Sequence, residues 1–303
     1  MRETVSLDWR SLRAWCALAI LIGAYFLQAQ VESFAIAPLK QAADLHMIKD
    51  GAMSLEAYAA LMIVRLGWNA LLVAAIWAVL GRPFDGFPLK DRRVFRHIVI
   101  GLLIGLVVMT AAILCIVFVG DARVSHVSQP AATALKFGGG WLLADVVGAL
   151  GEELYGRAAI LLVAERFLGW KGAVLVSGLM FVVIHLGNPG ASAIWLVRLG
   201  IQGALLAYAV YRTGSLWWSV GYHAGWNWAS APLFGAAGSG YLDQGHLFDF
   251  LPYGSVWLTG GAVGPEGSLF AFLAVVMAFV LLRKTLPSIA RNRGGKFGSR
   301  SIQ

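Results

Sequence analysis

The sequence predicts an all-α, polytopic membrane protein, a bundle of about eight transmembrane helices in one domain. Three observations carry this. The 303 residues are 59% hydrophobic and only 13% charged, a balance outside the range of soluble globular domains. Apolar runs long enough to cross a hydrocarbon core of about 30 Å fall near 12–30, 59–80, 97–119, 139–164, 171–188, 191–211, 214–233 and 267–284. The connecting segments also alternate in basic residues: counted from the N-terminus, the odd-numbered segments hold 17 Lys and Arg and the even-numbered ones 4.

That alternation is the positive-inside pattern. Arg2, Arg10 and Arg13 lead the first segment, Arg82, Lys90, Arg92, Arg93 and Arg96 fill the third, and Arg283 through Arg300 close the last. The rule puts both termini in the cytoplasm and requires an even number of spans. An integral protein of a bacterial cytoplasmic membrane is expected. The net charge of +8 follows from this distribution, so no nucleic-acid partner is expected. Cys16 and Cys115 both lie inside apolar runs, which argues against a disulfide framework or a thiolate metal site.

Residues 1–286 are read as one transmembrane domain. The basic, polar 287–303 tail is expected to be disordered, cytoplasmic and attracted to anionic headgroups. The first span is read as uncleaved, although Ala35-Ile36-Ala37 has the small-x-small form of a signal cleavage site. Residues 31–58 would lie outside, as a short surface helix. Residues 234–266 have no Lys or Arg and many glycines; a mobile lid and simple disorder both fit, and disorder is the plainer reading.

Chemistry concentrates between Gly139 and Leu168. Asp145, Glu152, Glu153 and Arg157 interrupt an otherwise apolar helix, where a charge at the bilayer centre costs at least about 2.5 kcal/mol, so such residues face protein or a wet cavity. Glu153 and Arg157 are four apart with the acid first, the favoured order for a same-face pair. Glu152 lies about 100° round the helix from Glu153 and is left outside that pair, with Asp145 two turns back on roughly its own face. A structural ion-pair network alone would account for part of this.

Two later spans add polar groups. Phe181 and His185 are four apart on the fifth, and His223 and Asn227 four apart on the seventh. Each pair alone is weak, since a single intramembrane His is as often a satisfied interhelical hydrogen bond as a catalytic group. Together they offer a carboxylate, two imidazoles and a carboxamide on three spans. Arg65 is read as snorkelling from a helix end, and Arg198 with Gln202 as pairing with Asp145 or a backbone carbonyl.

The run Glu152-Glu153-Leu154-Tyr155-Gly156-Arg157 matches EExxxR, Phe181 to His185 matches FxxxH, and His223 to Asn227 matches HxxxN. Their order and their placement on separate apolar helices resemble the CPBP family, the CAAX prenyl proteases and bacteriocin-processing (Abi) intramembrane endopeptidases. The resemblance covers about residues 139–232. It implies a peptidase of glutamic or metallo type acting on a membrane-associated or lipid-modified protein or peptide. Glu152 would be the general base, His185 would hold the water, and His223 with Asn227 would stabilise the oxyanion. Glu153 and Arg157 would orient the site. No cofactor is expected. Zinc on Glu152, His185 and His223 is the other possibility, disfavoured because Asn227 is a poor zinc ligand and a good oxyanion donor.

Other classes are weighed by what they need. HExxH and GxGD are absent, and a rhomboid-like reading of Gly190-Ala191-Ser192-Ala193 leaves the Glu152 cluster unexplained. A proton-coupled transporter could use the acids and histidines as a relay, and a non-catalytic immunity or regulatory protein could keep the same helices.

Overall fold

The computed structural model describes residues 9–43, 45–81 and 88–288; nearly all of the 287–303 tail lies outside them. The chain is an all-α bundle with two small sheets at one end. Helix α1 spans Trp9–Ala43, α2 Leu55–Val79 and α3 Val94–Val119. Helix α4, Ala131–Glu153, continues through a π-helical turn, Leu154–Ala159, into α5, Ile160–Val183. Helix α6 is Ala193–Thr213, and α7, Trp217–Trp228, ends in a second π-helical turn, Ala229–Leu233. A short α8, Val256–Thr259, and a last long helix α9, Leu269–Thr285, complete the bundle.

Four of the described helices (α1, α2, α3 and α6) are long and apolar enough to cross a membrane by length and composition alone. The others carry the site's charges, are broken, or are shorter. The runs expected near 139–164 and 171–188 are consecutive arms of one helical stretch that reverses at Gly169, whose φ of 65° is left-handed and open to glycine without a Cβ penalty. Around the bundle, Leu71, Phe95, Phe118 and Leu135 are among many exposed large apolar side chains, a surface suited to lipid rather than water.

Two glycine pairs set the position of α7. A Cβ at Gly101 or Gly105 of α3 would run into the backbone carbonyl of Trp218 or Tyr222. In return, a Cβ at Gly221 or Gly225 of α7 would meet the carbonyl of Ile98 or Leu102. Both helices thus present small-xxx-small faces that allow backbone-to-backbone approach. His223 lies between the two α7 glycines, so this packing aims it to the opposite side, toward α4.

The bundle has two distinct ends. At one, Leu216 N–H donates to Pro88 O (2.9 Å), the Trp217 indole to Leu89 O (3.1 Å) and Arg212 to Leu286 O (2.9 Å). This is the end of the basic connections. At the other, α1 is followed by a hairpin of β1 (Ile48–Lys49) and β2 (Ala52–Met53). Its turn residues Asp50 and Gly51 both have positive φ (52° and 80°), as a type I′ turn requires. The 31–58 connection is therefore the end of α1 plus a hairpin, and the expected separate surface helix is not what the chain forms.

The glycine-rich 234–266 segment also departs from the expectation of disorder. Strand β4 (Phe248–Pro252) within it pairs antiparallel with β3 (Ala122–His126). Met53 N–H donates to Leu242 O (2.6 Å) and Gln244 N–H to Met53 O (3.0 Å), tying it to the hairpin. At its end, buried Glu266 accepts from Arg198 (2.9 Å), from the indoles of Trp195 and Trp226 (3.1 Å each) and from Ser239 (3.1 Å). Arg198 also bonds Gln202. Arg198 thus donates to a backbone carbonyl, Glu266 O (3.1 Å), as one expected alternative had it, and its acid partner is Glu266 rather than Asp145, supplied from 68 residues away, beyond the reach of helical spacing.

Candidate active site

The site begins where α4 becomes π-helical. A π turn inserts one extra residue and commonly marks a functional position; here Gly156 O within it accepts from Ser177 Oγ of α5 (2.9 Å). Glu153, fully buried, ends the α-helical part. Its Oε1 lies 3.0 Å from Arg157 Nη1 and 2.9 Å from His223 Nδ1. Arg157, equally buried, also donates to Gly203 O and lies over the Phe181 ring, 4.4 Å from its centroid. Phe181 is thereby a platform for the guanidinium as well as a neighbour of His185 and His223, at ring separations of 4.6 and 5.7 Å.

These contacts assign ring protons. An ionised Glu153 only accepts, so Nδ1 of His223 carries the hydrogen. His185 Nδ1 lies 2.7 Å from Phe181 O, an acceptor again, so it too holds its hydrogen on Nδ1. The Nε2 atoms are left for the site, the arrangement in which a partner on one ring nitrogen decides the role of the other.

Glu152 occupies the adjacent face. Its Oε2 lies 3.8 Å from His223 Nε2, and its Oε1 3.6 Å from Arg65 Nη1. Arg65 in turn binds Glu32 of α1 through Nε (2.7 Å) and Nη2 (3.1 Å). The expectation that Arg65 snorkels outward is thus corrected: opposite charges on α1 and α4 draw it inward. Glu152, read from sequence as lacking a cationic partner, has one on α2.

A cavity of about 540 Å³ is lined by Glu152, His185, His223 and Asn227 together with Arg65 and Asp145. The four candidate groups, from α4, α7 and the turn that follows α5, thus meet at one cavity; His185 lies just past the helix on which its spacing places it. Glu153 and Arg157 do not line it; Glu153 reaches it through His223, and Arg157 through the Phe181 ring beside both histidines. The cavity's other wall comes from the hairpin and the covering segment, including Met53, Ser239, Tyr241 and Asp243, and Asn188 donates to Ser239 O (3.0 Å) across its rim. These wall residues lie at the end opposite the basic connections.

Sequence reasoning missed Arg65 with Glu32, Asp243 and Glu266. The signal for the first pair was present, because each is a charge within or beside an apolar run. Asp243 and Glu266 carried none, being polar residues in a polar connection.

Among the described residues, no group of three His, Cys, Asp or Glu is spaced to hold a metal as it stands. By donor type, Glu152 and the two Nε2 atoms match a three-ligand zinc set.

The fold and cavity define an integral membrane protein with a carboxylate and imidazole site. Residues 134–229 match the family model for Rce1-like type II CAAX prenyl endopeptidases, which supports, over that third of the chain, the CPBP resemblance carried by the motifs. Over those residues the chain is similar to CAAX-type prenyl endopeptidases. No curated protein and no solved structure matches the chain.

Proposed function

We propose that the protein hydrolyses a peptide bond in a membrane-associated or lipid-modified protein or peptide, using a water activated by Glu152. The observation that carries this reading is the 3.8 Å approach of Glu152 Oε2 to His223 Nε2 in a cavity that His185 and Asn227 share. A water between these groups loses a proton to the Glu152 carboxylate as its oxygen attacks the scissile carbonyl carbon. The carbonyl π electrons move to oxygen, and the oxyanion receives hydrogen bonds from the Asn227 amide and from His223. The C–N bond then breaks as Glu152 returns the proton to the leaving nitrogen. With Nδ1–H on Glu153, His223 donates from Nε2 only as an imidazolium, and carboxylates at 2.9 and 3.8 Å balance that charge.

A metallo-type variant is the second reading, favoured by the Nδ1 partners of both histidines. Glu152, His185 and His223 would hold the zinc, which supplies a Lewis acid and a more acidic water. The two readings demand opposite states of His223 Nε2, protonated in one and a bare lone pair in the other.

The hairpin and covering segment that wall the cavity lie at the end away from the basic connections, so the positive-inside rule supports a site nearer the non-cytoplasmic face. Purified full-length protein in liposomes, given fluorogenic peptides tethered to a lipid anchor, tests the function. Cleavage that falls at least about a thousandfold in Glu152→Gln, His185→Ala and His223→Ala supports it. Undiminished turnover by Glu152→Gln removes it. Loss of activity with a zinc chelator, restored by zinc alone, selects the metallo-type variant.

A further inference from the structure

The mechanism above leaves one part of the cavity unused. Asp145 lines it, is 4% exposed, and its Oδ2 has no hydrogen-bond partner. A buried carboxylate oxygen without a donor, on a side chain that lines a cavity, leaves its desolvation uncompensated, unless a ligand supplies the donor. Asp243, 7% exposed, brings a second carboxyl to the same cavity from the covering segment. The walls here are aromatic: Tyr58 and Trp141, with ring centroids 5.3 Å apart, and Tyr241. Arg65 is the one Lys or Arg among the described residues lining the cavity, and Glu32 already holds it through two hydrogen bonds.

From this arrangement we infer that Asp145 and Asp243, walled by Tyr58 and Trp141, form a subsite for a basic side chain of the substrate. Carboxyl oxygens supply acceptors for an ammonium or guanidinium, and aromatic faces attract the same cation. An apolar or acidic side chain would leave Asp145 as unpartnered as it is now. This inference rests on the endopeptidase reading, since it names what that site recognises.

Helix geometry gives the register. Asp145 precedes Glu152 by seven residues on the same helix, about 10 Å along its axis. An extended peptide advances about 3.3 Å per residue. The basic side chain therefore lies about three residues from the scissile bond.

The test is a positional scan. Full-length protein in liposomes is given N-acetylated, lipid-anchored peptides that carry lysine, arginine, norleucine or glutamate at each position within five residues of the cleaved bond. Lysine and arginine should exceed norleucine in kcat/KM by roughly tenfold at one position about three residues away, and glutamate should be slowest there. Asp145→Asn should bring the lysine-to-norleucine ratio to within about twofold, and Asp243→Asn should lower it. Where Asp145→Asn fails to fold, the binding of lysine and norleucine peptides to full-length Glu152→Gln decides, the lysine peptide binding roughly tenfold more tightly. Cleavage with no basic preference at any position would overturn the subsite and leave the endopeptidase reading standing. Cleavage of none of the peptides would overturn both.

Discussion

His223 Nδ1 and Arg157 Nη1 approach the same oxygen of Glu153, at 2.9 and 3.0 Å. One buried carboxylate oxygen thus fixes a ring on α7 and neutralises a guanidinium one turn further along its own chain. Glu153→Ala strands Arg157 in the interior and should cost about 3–5 kcal/mol, read as a lower unfolding temperature in detergent. The double variant Glu153→Gln, Arg157→Met should regain most of that stability. It should not regain peptide cleavage, because Gln no longer holds the imidazole as an ionised acceptor does.

Arg65 links Glu32 of α1 with Glu152 of α4. Its fork makes two hydrogen bonds to Glu32 while a third nitrogen stays 3.6 Å from Glu152. A lysine ammonium is a compact point charge and cannot span both. Arg65→Lys should therefore lower kcat at least about tenfold with an unchanged helical circular dichroism spectrum. Equal kcat in the two proteins would assign Arg65 to helix packing alone.

Gly225→Ala should separate α3 from α7, because the new methyl would overlap the Leu102 carbonyl. Backbone cannot yield as a side-chain tip can, so a loss of about 1–3 kcal/mol is expected. His223 and Asn227 flank this glycine and should move with the helix. Unfolding temperature and peptide turnover should fall together, whereas Gly67→Ala, whose Cβ meets nothing within 4 Å, should alter neither.

Burial pushes the Asp243 carboxyl up to about 8, from 3.8. A carboxyl whose folded value is raised favours folding most when protonated in both states. Its contribution is full below about pH 4 and is lost as pH rises through 8. Asp243→Asn removes that dependence. Its unfolding temperature should match wild type near pH 4 and exceed it by a growing margin up to about pH 8, by at least about 2 °C at pH 9. Parallel curves would mean that Asp243 is solvated. A folded protein that retains so costly a carboxyl at its cavity follows the pattern in which stability is given up at a functional site.

Much of this protein was legible in its sequence. Transmembrane class follows from composition, because lipid excludes unpaired backbone and charge and leaves long apolar helices as the solution. The Glu153–Arg157 pair follows from spacing on one helix. The family resemblance follows from three short motifs in order. Arg65 was misassigned because a lone arginine in an apolar run is compatible with outward snorkelling and with inward pairing alike, and only the packing of α1 against α2 distinguishes them.

Sequence periodicity determined by itself which faces of single helices carry charge, because that geometry repeats every 3.6 residues and needs no partner. The tertiary structure alone decided which helices share a cavity: that His223 reaches Glu153 across 70 residues, that Glu266 answers Arg198 across 68, and that a glycine-rich connection becomes a fixed wall. The reason is physical. Those contacts join segments whose separation along the chain carries no period, and they form only when burial of both partners is settled by the packing of the whole bundle.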